Sequence, residues 1–302
     1  MIKAPRLFQA VRGPLLIGTA VVLGLSIPLP RNLSALTTPL VALLIFAAVY
    51  GSDRTALRNV DRPAFPLVAI MFVFSISLVF APIPALFLDG PTLVGVLVAI
   101  AAPSTAGSAI VWTKYGGGDT SATVIITLSA IALAPLVTPI LLAVMVGHGV
   151  QVDPLPVVLE LGLVVAGGGI LWWLVPDDAI SDVTVGQLSL LTVGLLVYVG
   201  TATSPVDQIG ITGVAIVGVL AFAFLVLVAA VSFAAVYFIG WSRAVALFFS
   251  SGLRNLGIGV AVAGTLHVRG VVVAVVVFYI VQQLCATVAA EAARKRYRHH
   301  VG

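Results

Sequence analysis

Long apolar runs of roughly 17 to 25 residues recur along this chain, each separated by a short polar or Pro/Gly-rich stretch. That is the length an α-helix needs to cross about 30 Å of hydrocarbon. Ten such spans lie near 14–29, 34–51, 64–82, 92–113, 121–146, 155–175, 184–200, 210–240, 243–264 and 270–290. The span over 210–240 is too long for one straight crossing, which predicts a tilt or a short interfacial piece. Two spans are interrupted. The fourth reads Ala101-Ala102-Pro103-Ser104-Thr105-Ala106-Gly107-Ser108, and the ninth reads Ser250-Ser251-Gly252-Leu253-Arg254-Asn255-Leu256-Gly257-Ile258-Gly259. Both set helix breakers among small polar residues at mid-span. They lie about 150 residues apart in a chain of 302, so they occupy corresponding places in two halves. Five spans per half invert the second copy. The pattern predicts an all-α integral membrane protein of ten transmembrane helices, built as two inverted five-helix repeats over about 14–146 and 155–290 and forming one transporter domain. Matched interruptions of this kind point to a binding site at the bilayer midplane, where unwound backbone and half-helix ends hold ions or charged groups. Residues 103–108 and 250–257 are expected to be non-helical and close in space.

Charge fixes the orientation. With the N-terminus in the cytoplasm, the cytoplasmic segments hold Lys3, Arg6, Arg12, Arg54, Arg58, Arg62, Lys114, Arg243, Arg294, Lys295, Arg296 and Arg298, and the outer loops hold only Arg31 and Arg269. This asymmetry predicts a cell-membrane protein with both termini cytoplasmic. Composition agrees, with 61% hydrophobic residues, 9% charged and a mean hydropathy of +1.20, against roughly 25% charged in an ordinary soluble domain. The net charge of +4 reads as an orientation signal rather than a nucleic-acid patch. Residues 1–12 resemble the start of a signal peptide but lack a small-x-small cleavage site, and are read as leading into helix 1. The single cysteine, Cys285, leaves no intrachain disulfide or cysteine metal site.

The candidate chemistry is sparse. Arg254 falls inside a span, where a guanidinium costs at least a few kcal/mol unless it faces a cavity or a partner. It suits an anionic group held at two points. Glu160 is the other charge within a span, and is either its ion-pair partner or a proton carrier. Gln282, Gln283, Ser75 and Ser77 either line the same cavity or join helices. Enzyme motifs such as HExxH, CxxC and GxSxG are missing. His148, His267, His299 and His300 fall in loops or the tail, and Asp177, Asp178 and Asp182 form a single loop cluster with no second counterpart. These observations predict no enzyme, no cofactor and no metal site of this chain's own. The expected partners are a small anionic substrate and the lipid bilayer, with no obligate protein partner.

Three stretches carry a resemblance: Ala102-Pro103-Ser104-Thr105-Ala106-Gly107-Ser108, then Gly117-Gly118-Asp119, then Leu133-Ala134-Pro135-Leu136-Val137-Thr138-Pro139. With Gly252-Leu253-Arg254-Asn255-Leu256-Gly257-Ile258-Gly259-Val260-Ala261 and the Arg62-Pro63 start of helix 3, they resemble the bile acid:sodium symporter family over essentially the whole chain. The resemblance implies ten helices in inverted repeat, a panel and a core domain, and helices 4 and 9 crossing in the core. It implies a secondary transporter of an organic anion, with Na+ or H+ as the coupling ion. Arsenite permeases share that fold and are the alternative, and an intramembrane enzyme is a more distant one. The site residues it implies are Ser104, Thr105, Ser108, Ser250, Arg254 and Asn255 at the breaks, with Thr123 and Thr127 near the family's hydroxyl ligands in helix 5. Ser77, Glu160 and Gln282 join this set from the span analysis.

The chain departs from that family where sodium binds. The family's helix 4 motif ends Ser-Asn, and this chain has Ser108-Ala109. The family's helix 9 carries Glu-x-Gly-x-Gln-Asn, and this chain has Ser250-Ser251-Gly252-Leu253-Arg254-Asn255. An acidic ligand and an amide are therefore replaced, and a sodium ion would lack a compensating anion in a low-dielectric site. Arg254 stands as a candidate replacement for the cation.

Overall fold

Residues 4–52, 64–146, 153–176, 179–203, 210–266 and 270–301 are described in a computed structural model of the chain. Calls on Lys3, Arg54, Arg58, Arg62, Pro63, His148, Asp177, Asp178, His267 and Arg269 lie outside the described residues. Among the described residues the fold is all helical: α1 Ala4–Ser26, α2 Thr37–Tyr50, α3 Ala64–Phe80, α4 Gly90–Ala101, α5 Ala106–Tyr115, α6 Thr120–Val146, α7 Pro154–Leu174, α8 Asp182–Ala202, α9 Ile211–Ala234, α10 Val236–Ile239, α11 Trp241–Gly252, α12 Leu256–Thr265 and α13 Val271–Val301. Among the described residues seven helical segments are long and apolar enough to cross a membrane, and α4, α12 and the Leu15–Ser26 part of α1 are shorter apolar helices.

Apolar length marks the bilayer crossing rather than the helix. So α1 begins at Ala4 rather than near 14, and α13 runs past 290 to Val301, taking the tail histidines into helix. Once nucleated, a helix propagates into polar sequence at little expense. The overlong eighth span divides into α9 and the one-turn α10, after which Gly240, at φ 80°, turns the chain into α11.

Two groups of helices form. In the first, α2 packs on α7 and α8, and α1 packs on α8. In the second, α4 packs on α13, α3 on α6, α9 on α11 and α13, and α5 and α11 on α6. The groups meet through α6 against α7 and through α12 against α2, α7 and α8. Between apolar helices in lipid, close backbone approach rather than water exclusion drives association. Gly168 of α7 shows it: a Cβ there would stand 2.7 Å from Ile45 Cγ2 and 2.9 Å from the Ala42 carbonyl of α2. Three of the basic residues assigned to one face make contacts between helices. Arg294 of α13 donates to the Tyr115 hydroxyl of α5 at 2.7 Å, Arg243 of α11 stands 4.0 Å from Asp119, and Arg296 lies over Trp241.

The Gly167-Gly168-Gly169 run yields a contrast. Gly168→Ala is expected to destabilise the protein by about 1–3 kcal/mol through overpacking. Gly169→Ala, with nothing within 4 Å of its Cβ position, should be neutral or gain up to about 1 kcal/mol from helix propensity. Thermal unfolding of the two purified variants checks this.

Candidate functional site

The two interrupted spans are helix–extended–helix pairs that meet. Pro103 has no N–H with which to continue α4 and clashes with the preceding turn, so α4 stops at Ala101 and α5 resumes at Ala106. On the other side α11 stops at Gly252 and α12 resumes at Leu256. The extended residues pair in antiparallel fashion: Thr105 N–H donates to the Leu253 carbonyl at 3.0 Å, Asn255 N–H donates to the Pro103 carbonyl at 2.9 Å, and Ser104 faces Arg254. This is the non-hydrogen-bonded kind of antiparallel pair, in which facing side chains leave on the same side and lie closest. The breaks are shorter than 103–108 and 250–257. Ser108 lies inside α5, which restarts as soon as the pairing residues end, and Ser250 lies inside α11, which continues up to Gly252 before they begin.

Carbonyls stranded at the end of α4 are then collected by side chains. Ser77 of α3 donates to the Ile100 carbonyl at 2.6 Å, and Thr138 of α6 donates to that of Ala101 at 3.1 Å. Arg254 Nη1 donates to the Ala102 carbonyl at 3.2 Å, and its Nη2 donates to the Val73 carbonyl of α3 at 2.8 Å. The guanidinium lies 5.1 Å over the Phe224 ring of α9, which packs against Phe80 and Phe278. Arg254 is only 2% exposed. Its backbone is clamped by one side chain of α13: Arg254 N–H donates to Gln282 Oε1 at 2.9 Å, and Gln282 Nε2 donates back to the Arg254 carbonyl at 2.8 Å. The cation thus sits at a helix C-terminus, the negative end of the α4 dipole.

Glu160 is elsewhere. It accepts a hydrogen bond from Thr38 of α2 at 2.6 Å. Among the described residues no carboxylate lies within ion-pairing distance of Arg254. The expected alternative of an Arg254–Glu160 pair is not what forms, since main-chain carbonyls already satisfy the guanidinium. Its Nε–H nevertheless has no acceptor among the described residues, and the buried hydroxyls of Ser104 and Ser251 likewise lack partners.

The two half-helix N-termini differ. Asn255 caps α12, its Oδ1 accepting from Ile258 N–H at 3.2 Å. Thr105 stands at the corresponding position of α5 without making such a bond, and a Cβ at Gly107 would meet nothing within 4 Å. One turn on, Gln283 of α13 donates to Ser108 at 3.2 Å and accepts from Trp112 Nε1 at 3.4 Å. Ser108, Gln283 and the open end of α5 form one half-buried polar wall. Thr123 and Thr127 are buried in α6, spending their hydroxyls on the Asp119, Thr123 and Val124 carbonyls, with Thr123 also 3.2 Å from Thr113. Ser250 bonds back to Leu247 at 3.3 Å, and Ser75 is exposed. The structure therefore brings together Ser104, Thr105, Arg254, Asn255, Gln282 and Ser77, and holds Glu160 apart. Sequence reasoning did not single out Thr138, Phe224 or the Val73 carbonyl. Thr138 lies within the Leu133–Pro139 motif, which was the one available signal; a carbonyl leaves none.

The model of the SBF-like CPA transporter family matches residues 15–295 of this chain. A protein of Bacillus subtilis (strain 168) described as Uncharacterized protein YbaS is 25% identical over 297 residues, covering 90% of this chain and 94% of that protein.

Arg254→Gln removes two charge-assisted bonds to the carbonyls of the buried residues Ala102 and Val73, and is expected to destabilise the protein by about 2–4 kcal/mol. Because Glu160 bonds to Thr38 and not to Arg254, adding Glu160→Gln should give no recovery. Thermal unfolding of the two single variants and the double variant measures the coupling, and an additive result is expected.

Proposed function

The chain belongs to the SBF-like CPA transporter family, and on that premise we propose that it is a secondary transporter of a small organic anion that works without sodium. The observation that carries this reading is the buried guanidinium of Arg254 at the helix crossing, bonded to carbonyls and unaccompanied by a carboxylate among the described residues. Carbonyl oxygens at a half-helix C-terminus are the groups that coordinate alkali cations in transporters of broken-helix design. Here a side chain of the protein takes them. A resident positive charge needs an anion nearby, and the uncapped α5 N-terminus presents one end of a helix dipole to open space. We infer that the substrate's anionic group docks there, against the N–H groups of Ala106 and Gly107 and the side chains of Thr105, Ser108 and Gln283. Ser104, Asn255, Gln282 and Ser77 hold that geometry, and Thr123 and Thr127 stiffen the α6 wall. Ser250 seats the end of α11, and Glu160 is a proton-coupling candidate on the other helix group.

An inverted repeat is supported by matched packing. Setting α1–α6 against α7–α13 pairs the α2–α7 contact with α8–α1, α3–α6 with α9–α13, α5–α6 with α12–α13, and α4–α13 with α11–α6. Ten crossings follow when α4 with α5 and α11 with α12 each count as one broken span. The clustered basic residues of α5, α11 and α13 support a cytoplasmic placement of that face and of both termini.

The test is thermal stabilisation of purified protein by small carboxylates and sulfonates, in sodium and in choline buffers, with arsenite as a further arm. A ligand at a hundred times its Kd stabilises by about 2.7 kcal/mol, a shift of a few degrees. An organic anion should stabilise equally in both buffers, and Arg254→Lys should lose most of the effect because an ammonium lacks the planar fork. Stabilisation that requires sodium, or that only arsenite produces, overturns the reading.

A further inference from the structure

α5 and α12 leave the crossing in opposite directions and meet the first helix group unequally. α12 is buried at every residue from Leu256 to Ala263, against α2, α7 and α8. α5 buries only Ala106, Ala109 and Thr113, and Val111 on its open side is 60% exposed. The difference concentrates at two glycines. A Cβ on Gly257 would stand 2.7 Å from Leu44 Cδ2 of α2 and 3.6 Å from Leu196 Cδ2 of α8, whereas a Cβ on Gly107 would meet nothing within 4 Å. The antiparallel pair Ser104–Arg254 sets the register between the halves. Three residues beyond Ser104 is Gly107, and three residues beyond Arg254 is Gly257. Each is the second residue of its half-helix.

We propose that Gly107 and Gly257 are paired seats on which the α1, α2, α7, α8 group closes alternately, so that which glycine is covered determines which side of the membrane the site faces. This rests on the transporter reading above. In the structure described here Gly257 is seated and Gly107 is free, and the opposite-facing state exchanges them. At Gly257 the Leu44 side chain of the facing helix comes to backbone distance, and a Cβ there holds it off; the register pair makes Gly107 its counterpart. Packed interfaces switch between two arrangements rather than deform continuously. A side chain at the free seat therefore goes unnoticed in one state and blocks the other. A side chain at the occupied seat does the reverse.

Cys285 is the only cysteine, so its replacement by Ser gives a clean background for two reporters. Val111→Cys lies on the open face of α5. Val260→Cys is buried on α12, where Val260 Cγ1 would touch a Cβ on Gly200 of α8 at 3.2 Å. The rate of reaction with a charged, water-soluble thiol reagent is measured on the purified protein, with gel-filtration profiles showing which variants fold. Val111→Cys should react quickly and Val260→Cys slowly. Gly257→Ala should raise the Val260→Cys rate on the order of tenfold through overpacking of this state, and adding Leu44→Ala should bring it back. Gly107→Val should keep the Val111→Cys rate and suppress the Val260→Cys rate. If both reporters react in the otherwise unaltered chain but neither glycine change moves the rates, the seats are overturned while alternating exposure stands. If Val260→Cys never reacts in any background, or Val111→Cys is itself inert, the two-sided exchange is absent and both readings fall.

Discussion

A peptide group in a hydrocarbon solvent has nowhere to turn but to another part of the protein. Each unsatisfied N–H or C=O there is worth several kcal/mol, and this constraint organises the middle of the molecule. Breaking two helices frees backbone groups at four helix ends. The extended segments answer part of the debt by pairing with each other, at Thr105 to Leu253 and Asn255 to Pro103. The remainder recruits side chains from three neighbouring helices: Ser77 from α3, Thr138 from α6 and Gln282 from α13. Gln282 supplies a donor and an acceptor to one residue's backbone, as an adjacent β-strand would. The packing of α3, α6 and α13 around the crossing is thus as much a hydrogen-bonding requirement as a matter of shape.

Much of this was legible in the chain, and the illegible parts have physical reasons. Spans could be read because a bilayer imposes a length on apolar sequence, and both breaks could be read because Pro103 and the Gly252–Asn255 stretch interrupt that length with residues a helix does not favour. The helix limits at Ala4 and Val301 could not, since hydropathy senses the solvent rather than the hydrogen-bond ladder. Ser108 and Ser250 look like loop residues in sequence and are helical, because where one half-helix stops and the next restarts is decided by the tertiary pairing beside it.

Arg254 illustrates both sides. A guanidinium within a span suggests a site in sequence, and the structure places it buried beside the break. Its partner was harder to foresee. Charge arithmetic selects Glu160, the other ionisable group within a span, but a guanidinium offers five donors and main-chain oxygens accept them without any signature in the side-chain sequence. The outcome is a cation held by the fold itself, with Phe224 beneath it, while Glu160 is left to Thr38.

A charge fixed to the backbone near the middle of a membrane protein is also an electrical element. A bound ion can leave and be replaced, but Arg254 travels wherever the crossing travels. Crossing the full transmembrane field is worth about 2.3 kcal/mol per elementary charge per 100 mV, and any movement of the crossing relative to the bilayer samples a fraction of that. On the proposed transporter reading, a resting potential negative inside draws the guanidinium toward the cytoplasm, so that the membrane voltage would itself enter the balance between the orientations of the crossing.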